Sequence, residues 1–137
     1  MPPLRPFDSN IDLLSKVLDL RARNQQIISS NIANAETPGY SPARFSFQED
    51  LEQAINASKT RLDTSHEKHI PFTTQSIDAV VGTITIEEDK HSLGDENGVS
   101  VDDEMLALSE NQLLYEASAQ IIKKKIGMVK YAISGGQ

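Results

Sequence analysis

The sequence predicts a mainly α protein, with long N- and C-terminal helices that pair as an elongated, coiled-coil-like bundle and an irregular middle segment with little or weak β structure. Apolar residues recur at helical spacing near both ends of the chain, and near the C-terminus they follow a heptad repeat. The aromatic content, 5%, is low for a deep compact core. We therefore divide the chain into an N-terminal helix with its closing loop (1–40), a middle segment (41–98) and a C-terminal helix (99–137), the two ends together forming one domain.

Composition excludes several classes of function. The 137 residues fit about one domain, and the absence of cysteine excludes disulfides, thiolate metal sites and cysteine nucleophiles. Thirteen Lys and Arg against 20 Asp and Glu give a net charge of −7, which disfavours nonspecific binding to nucleic acid or anionic lipid. The apolar runs are far shorter than the roughly 20 residues of a membrane helix. The N-terminus lacks the apolar core of a secretory signal peptide, so export would use another route.

The first helix is predicted over about 10–34. Prolines precede it, and Asp8, Ser9 and Asn10 supply candidate N-cap side chains. Its apolar residues fall on two neighbouring stripes, which together are wider than one coiled-coil seam needs. We therefore expect this helix to contact more than one neighbour. The interaction candidates on these stripes are Ile11, Leu14, Leu18, Ile27, Ile28 and Ile32.

A turn is predicted where this helix ends, within the segment 31–40. Pro38 disfavours a helical conformation at Thr37, and Gly39 can take the positive φ of a type II turn. Asn31 and Asn34 are placed to satisfy carbonyls left unpaired at the helix end. Taken alone, the Thr-Pro-Gly-Tyr sequence is equally compatible with an ordinary turn.

The middle segment carries most of the acidic excess and has the weakest pattern. A short helix is predicted around 46–57, where Phe47, Leu51 and Ile55 are four residues apart, and a weak strand over 79–86. The remainder is poor in large apolar residues, so we expect it to be mobile unless a partner orders it.

The C-terminal helix is predicted over about 100–134 and carries the heptad pattern. At 1.5 Å per residue it would be about 50 Å long, against about 36 Å for the first helix, so pairing within the chain leaves part of its seam for other subunits. One seam residue, Gln112, is polar; it could fix the register or be merely tolerated. The seam consists of Val101, Met105, Leu108, Gln112, Tyr115, Ala119, Ile122, Ile126, Val129 and Ile133.

Two regions of the chain resemble the bacterial flagellar rod and hook proteins, the axial family. Residues 31–40, Asn-Ile-Ala-Asn-Ala-Glu-Thr-Pro-Gly-Tyr, are similar to the signature that follows the N-terminal helix of that family. Residues 99–105 and 111–117 are similar to its acidic-Met opening and its Asn-x-x-x-Tyr-x-Ala stretch on the C-terminal helix. The short length favours the proximal-rod members. Residues 95–99 depart from the family pattern because the glycine is displaced, so the turn before the last helix could differ.

The resemblance implies a structural subunit with no enzymatic activity and no cofactor. The terminal helices would form the inner layer of a tubular drive shaft that transmits torque and encloses the export channel in the periplasmic space. The implied partners are other copies of the chain, other rod proteins, the membrane-ring base and export-gate proteins, and the flagellar type III export apparatus; nucleic acid and small-molecule substrates are not implied. The family signature loop comprises Asn31, Ile32, Ala33, Asn34, Thr37, Pro38, Gly39 and Tyr40.

Alternative sites in the sequence are weaker. His66 and His69 are three residues apart, whereas the zinc-protease motif needs His-Glu-x-x-His on a stable helix. A partial calcium-loop pattern has Leu93 where the first carboxylate is required, and we expect its last residue, Glu104, to cap a helix instead. The lysine run 123–125 lacks the interleaved aromatic residues of a nucleic-acid site.

A soluble two-helix adaptor or chaperone of a secretion system is the alternative of a different class. An adaptor should fold alone and bind its client reversibly. A rod subunit should have mobile ends as a monomer and become ordered on assembly, a difference that hydrogen exchange would detect.

Overall fold

The computed structural model describes residues 9–59, 76–87 and 98–135. The two long terminal helices pack against each other, and a short helix and a small two-stranded antiparallel sheet lie between them in the chain. We refer to this sheet as the hairpin, although the short helix lies between its two strands in the chain. No helix in these described ranges is long and apolar enough to cross a membrane. In chain order the elements are α1 (Ser9–Ala33), β1 (Ala43–Ser46), α2 (Gln48–Lys59), a 3-10 turn (Ile77–Ala79), β2 (Thr83–Ile86) and α3 (Val101–Ile133). The predicted mainly α fold and its terminal helix pair are confirmed.

The start of α3 is fixed by a serine cap. The Ser100 hydroxyl accepts a hydrogen bond from the Asp103 backbone N–H at 3.3 Å. Acidic residues in the first turn and Lys130 in the last turn complement the helix dipole. The expectation that Glu104 caps this helix is wrong: its side chain lies one residue beyond the capping position and is fully buried.

The hairpin differs from the predicted strand over 79–86. β1 and β2 pair antiparallel, with Ala43 opposite Ile86 and Ser46 opposite Thr83. The strand is shorter than predicted because a 3-10 turn occupies its start and Gly82, just before β2, has a φ of 69°. β1 was not predicted: its residues alternate apolar and polar, Ala-Arg-Phe-Ser, but the run is only four residues long and carries one large apolar side chain.

The apolar core lies between α1, the hairpin and α2. Its buried members are Leu20, Phe45, Phe47, Ala54 and Val80, and Ile27, Leu51 and Ile77 pack against them. α1 therefore contacts α3 along one side and β1 and the 3-10 turn along another. This confirms the prediction that the wide apolar surface of α1 serves more than one neighbour.

Gly82 is required where the hairpin meets this core. A Cβ at this position would lie 2.4 Å from Cζ of Phe45, and the positive φ adds strain for any other residue. We expect Gly82→Ala to lower the free energy of unfolding by about 2–4 kcal/mol, measured by urea denaturation. Gly39 is the matched control, since its φ is 73° and a Cβ there would contact nothing within 4 Å. Gly39→Ala should cost only about 1 kcal/mol. Equal losses would show that the Phe45 contact is unimportant.

Candidate functional site: the junction of the terminal helices

Asn31 forms the centre of a buried polar junction at the end of α1. Its side chain is completely buried, and both of its polar atoms are used twice. Nδ2 donates to the Ala43 carbonyl at 2.8 Å and to Oε2 of Glu104 at 3.2 Å. Oδ1 accepts from the Ala43 N–H at 3.0 Å and from the Tyr40 hydroxyl at 3.1 Å. One amide therefore ties α1 to the chain that leaves it and to α3, with its bonding capacity filled.

Glu104 brings a buried carboxylate from α3 to the same junction. The side chain has no solvent exposure, and its Oε1 accepts from Nη1 of Arg44, which is in β1. The Arg44 Nε also lies 3.4 Å from Oε2 of Glu87, just beyond β2. A buried carboxylate requires such partners, because desolvation otherwise disfavours its charge. The ion pair therefore couples the start of α3 to the hairpin.

A second polar contact joins the helices further along the pair. Asn111 of α3 is buried; its Nδ2 donates to the Arg21 carbonyl at 2.9 Å, and its Oδ1 accepts from Asn24 Nδ2 at 3.2 Å. The Arg21 guanidinium also reaches Asn111 Oδ1, at 3.4 Å, and its carbon lies 5.6 Å from the centroid of the Phe47 ring. Burial lowers the pKa of Arg21, and the negative charge of Glu110 opposes that change by raising it.

These two contacts fix the register of the antiparallel helix pair. Asn24 and Asn31 are seven residues apart on α1, and Glu104 and Asn111 are seven residues apart on α3. A shift of either helix along the other would leave the three buried polar side chains among them without these partners, at about 1–3 kcal/mol for each unsatisfied group. Among the described residues, the buried polar side chains are Asn31, Glu104 and Asn111. The helices therefore have one strongly preferred alignment.

The signature loop forms a turn that projects from the end of α1. Asn34 Nδ2 donates to the Ser30 carbonyl at 2.8 Å, which confirms its predicted part in satisfying the helix end. Asn31 does not do this, because its amide is taken up by Ala43 and Glu104. Gly39 has the positive φ expected of the turn. Of the other loop residues, Ile32 and Tyr40 are half-buried, and Ala33, Thr37, Pro38 and Gly39 are exposed.

The predicted stripes of α1 lie on covered or partly covered surface. Ile28 is buried. The remaining candidates, Ile11, Leu14, Leu18, Ile27 and Ile32, are half-buried.

The predicted seam of α3 is only partly covered within the subunit. Leu108, Tyr115, Ala119 and Ile122 are half-buried, whereas Val101, Met105, Gln112, Ile126, Val129 and Ile133 are exposed. Near the start of α3, the contact with α1 is made one residue earlier than the predicted seam, by Glu104 and Asn111. Gln112 is not the register-fixing residue within the subunit, since its amide donates to Glu116 of the same helix at 3.1 Å.

The polar contacts of the junction couple the two terminal helices and the hairpin to one another. Within the described ranges, no three His, Asp or Glu side chains are grouped to hold a metal ion. His66 and His69, and the calcium-pattern residues 93, 95 and 97, lie outside the described residues. Lys123 and Lys124 are exposed on α3.

Sequence reasoning did not identify four residues of the junction: Arg21, Asn24, Arg44 and the role of Asn111. The periodicity of apolar residues cannot identify polar side chains that are buried against residues far away in the chain. One sequence signal points to part of the junction, since Asn31, Glu104 and Asn111 lie within the motifs that resemble the axial family. Arg21, Asn24 and Arg44 lie outside those motifs.

The chain is similar in sequence to known flagellar rod proteins. The family model described as "Flagella basal body rod protein" matches residues 18–40, which include Asn24, Asn31 and the signature loop. A flagellar basal body rod protein FlgB from Aeromonas hydrophila is 34% identical over 131 residues, covering 96% of this chain and 97% of the relative. FlgB proteins from Bacillus subtilis and Escherichia coli are each 30% identical, over 96% of this chain and 98% and 99% of those relatives.

Proposed function

The chain belongs to the FlgB family of flagellar basal body rod proteins, and from its place as a structural rod subunit we propose that the α1–α3 pair packs into the wall of the rod. In this proposal, copies of the chain and other rod proteins form a tubular drive shaft by packing helices side by side. The shaft transmits torque and surrounds the export channel. The subunit performs no catalysis and needs no cofactor.

The observation that carries the proposal is the exposed apolar surface of α3. Of the predicted seam, Val101, Met105, Ile126, Val129 and Ile133 retain between 41% and 82% of their surface exposed. Monomeric proteins rarely leave extended apolar surface uncovered, and fully burying one such side chain contributes about 1.5–3 kcal/mol. Packing against other subunits would provide that burial along the length of the helix.

The polar junction suits the same role. A subunit that transmits torque needs its two helices and its hairpin to move as one body, and the Asn31 and Glu104 contacts tie these elements together. The signature loop then directs the chain out of the helix pair towards the hairpin. No observation favours the adaptor alternative.

The location and route are part of the proposal. The axial-family resemblance supports a place in the periplasmic part of the rod and delivery by the flagellar type III export apparatus. It also supports the membrane-ring base and export-gate proteins as neighbours at one end of the rod.

We expect Ile126→Asp to abolish swimming and to remove the chain from isolated basal bodies. Ile126 is 48% exposed in the subunit, so the variant should keep the helix content of the wild-type monomer in circular dichroism. A charge buried between subunits would cost several kcal/mol for each contact, which assembly cannot tolerate. Leu108→Asp should also block assembly, but Leu108 is half-buried and its replacement would disturb the monomer as well.

Ile126→Leu is the matched control and should swim normally, because it keeps an apolar side chain of the same volume. Normal motility of Ile126→Asp, with the variant present in basal bodies, would show that this part of the seam faces solvent in the rod.

A further inference from the structure

A pocket opens between the helix pair and the hairpin, beside the polar contacts that join them. Its volume is about 210 Å³, which is room for one large side chain. Its wall is apolar at Ile28, Phe45 and Leu114 and polar at Arg21 and Asn24. A side chain that fills the pocket must therefore combine an apolar body with a polar end.

The Arg21 guanidinium in this pocket has incomplete hydrogen bonding. Its Nη1 makes one long bond of 3.4 Å to Asn111, and within the described part of the chain its buried Nε has no acceptor. Buried donors are almost always bonded, so this guanidinium calls for a further acceptor. Arg44 and Glu110 also line the pocket, and Arg44 is paired with Glu104, so the two positive charges are balanced and do not select an ion. The pocket therefore favours a neutral group that accepts a hydrogen bond.

Tyr131, near the end of α3, has the properties that the pocket requires. A phenol combines an apolar ring with an oxygen that accepts a hydrogen bond, and tyrosine is enriched at protein interfaces. Of the three tyrosines, Tyr131 is 63% exposed, whereas Tyr40 and Tyr115 are half-buried. Tyr131 follows Val129 of the predicted seam by two residues, about 200° around the helix, so it points to the side opposite the seam.

Charges beside the tyrosine and beside the pocket match at the same spacing. Lys124 is exposed seven residues before Tyr131, and Asp103 is exposed seven residues before Glu110, which lines the pocket. Seven residues turn a helix by about 20° from two full turns, so the members of each pair share one side of α3. If Tyr131 of one copy lies level with Glu110 of another, Lys124 lies level with Asp103. The opposite charges therefore support a second copy as the occupant.

We propose that Tyr131 of a second copy docks in this pocket, where its hydroxyl accepts a hydrogen bond from the Arg21 guanidinium. The neighbour is then displaced along α3 by the distance from residue 110 to residue 131, about 30 Å at 1.5 Å per residue. Different surfaces meet in this contact, so it does not close on itself and can repeat along a tube. The inference rests on the proposed function, because it specifies which surfaces of neighbouring subunits meet in the rod.

Photo-crosslinking tests this contact in isolated basal bodies. One tagged copy carries Tyr131→p-azidophenylalanine, which keeps an aromatic ring, and is produced in the motile bacterium together with a differently tagged, unsubstituted copy. The matched control is Lys124→p-azidophenylalanine, which places the probe on the same side of α3 but about 10 Å earlier along the helix. After illumination, mixed dimers are purified by both tags, and the crosslinked residues are mapped by mass spectrometry.

We expect the Tyr131 probe to label residues of the pocket in the second copy at least fivefold more than the Lys124 probe does. The Lys124 probe should label the start of α3 around Asp103. Labelling of a different part of the second copy, labelling of another rod protein alone, or no mixed dimer with both tagged copies present would overturn the inference. Absence of even the unsubstituted chain from basal bodies would instead contradict the proposed function.

Disulfide trapping decides the question if the copy with the Tyr131 probe does not enter basal bodies, since the natural chain has no cysteine. Tyr131→Cys in one copy is combined with Leu114→Cys in the other. Leu113→Cys is the control, because it is exposed and points about 100° away from Leu114. We expect at least fivefold more mixed dimer with Leu114→Cys, and equal yields or no mixed dimer would overturn the inference.

Discussion

Replacing Asn31 with alanine is expected to lower the free energy of unfolding by about 3–5 kcal/mol, the sum of several lost hydrogen bonds and unpaired buried groups. The variant leaves both backbone polar groups of Ala43, the Tyr40 hydroxyl and one carboxylate oxygen of Glu104 without their partner. Urea unfolding of the purified chain, followed by circular dichroism, measures the loss. We expect the variant to be missing from basal bodies as well.

Asn34→Ala is the matched control, because it removes the same side chain three residues further along. Asn34 donates to the Ser30 carbonyl in an exposed position, where water can replace the bond. Its loss should cost only about 0.5–1 kcal/mol and should leave assembly intact. Similar losses for the two variants would show that the Asn31 junction contributes little beyond an ordinary helix end.

Glu104→Ala is expected to cost about 3–5 kcal/mol, the range for breaking a buried ion pair. The loss should lie towards the lower end, because Arg44 is about half exposed and can regain water. Asn31 would nevertheless keep an unpaired Nδ2 hydrogen in a buried site. Thermal unfolding at neutral pH measures the change, and motility on soft agar reports its effect on the rod.

Two further variants separate charge from position in this test. Asp103→Ala removes an exposed carboxylate from the same helical turn and should cost at most about 1 kcal/mol through the helix dipole. Glu104→Gln keeps the size and one acceptor oxygen, so its stability should fall between those of Glu104→Ala and the wild type. A larger loss for Asp103→Ala than for Glu104→Ala would refute the structural importance of the buried carboxylate.

The helical frame of this protein can be predicted from its sequence because burial of a helix face requires apolar residues at a fixed period. That requirement places α1 and α3 within about a residue of their ends in the structure. It also predicts a second neighbour for α1, which proves to be the hairpin core around Phe45 and Phe47.

The hairpin was harder to predict because its energy comes from contacts outside the strands. All four residues of β2 are exposed, so its Thr-Ile alternation reflects no buried face, and β1 is held by the bonds of Asn31 to Ala43. Neither feature can be read from local sequence. Gly82 delays the start of the strand, at a position where its positive φ and the contact with Phe45 both disfavour a side chain.

The polar junction could be located by resemblance but not explained by periodicity. The heptad pattern assigns Gln112 to the seam, whereas the structure buries its neighbour Asn111. Polar side chains are stable at this helix contact only because Arg21, Asn24 and Asn31 supply their hydrogen bonds. These partners lie far away in the chain. The junction residues within the family-like motifs are thus those whose hydrogen bonds form only when distant parts of the chain are folded together.

Arg44 forms an electrostatic link between the hairpin and the helix pair. Its guanidinium lies between Glu87, just beyond β2, and Glu104 in the helix pair. Sliding of the hairpin over the helix pair would therefore pull apart opposite charges. Glu87 is about half exposed and Glu104 is fully buried. Mobile ions screen exposed charges far more than buried ones, so increasing ionic strength would loosen the outer half of this link while the inner half stays stiff. The resistance of the subunit to sliding of the hairpin over the helix pair would then decrease as the salt concentration rises, although α1 and α3 keep the same alignment.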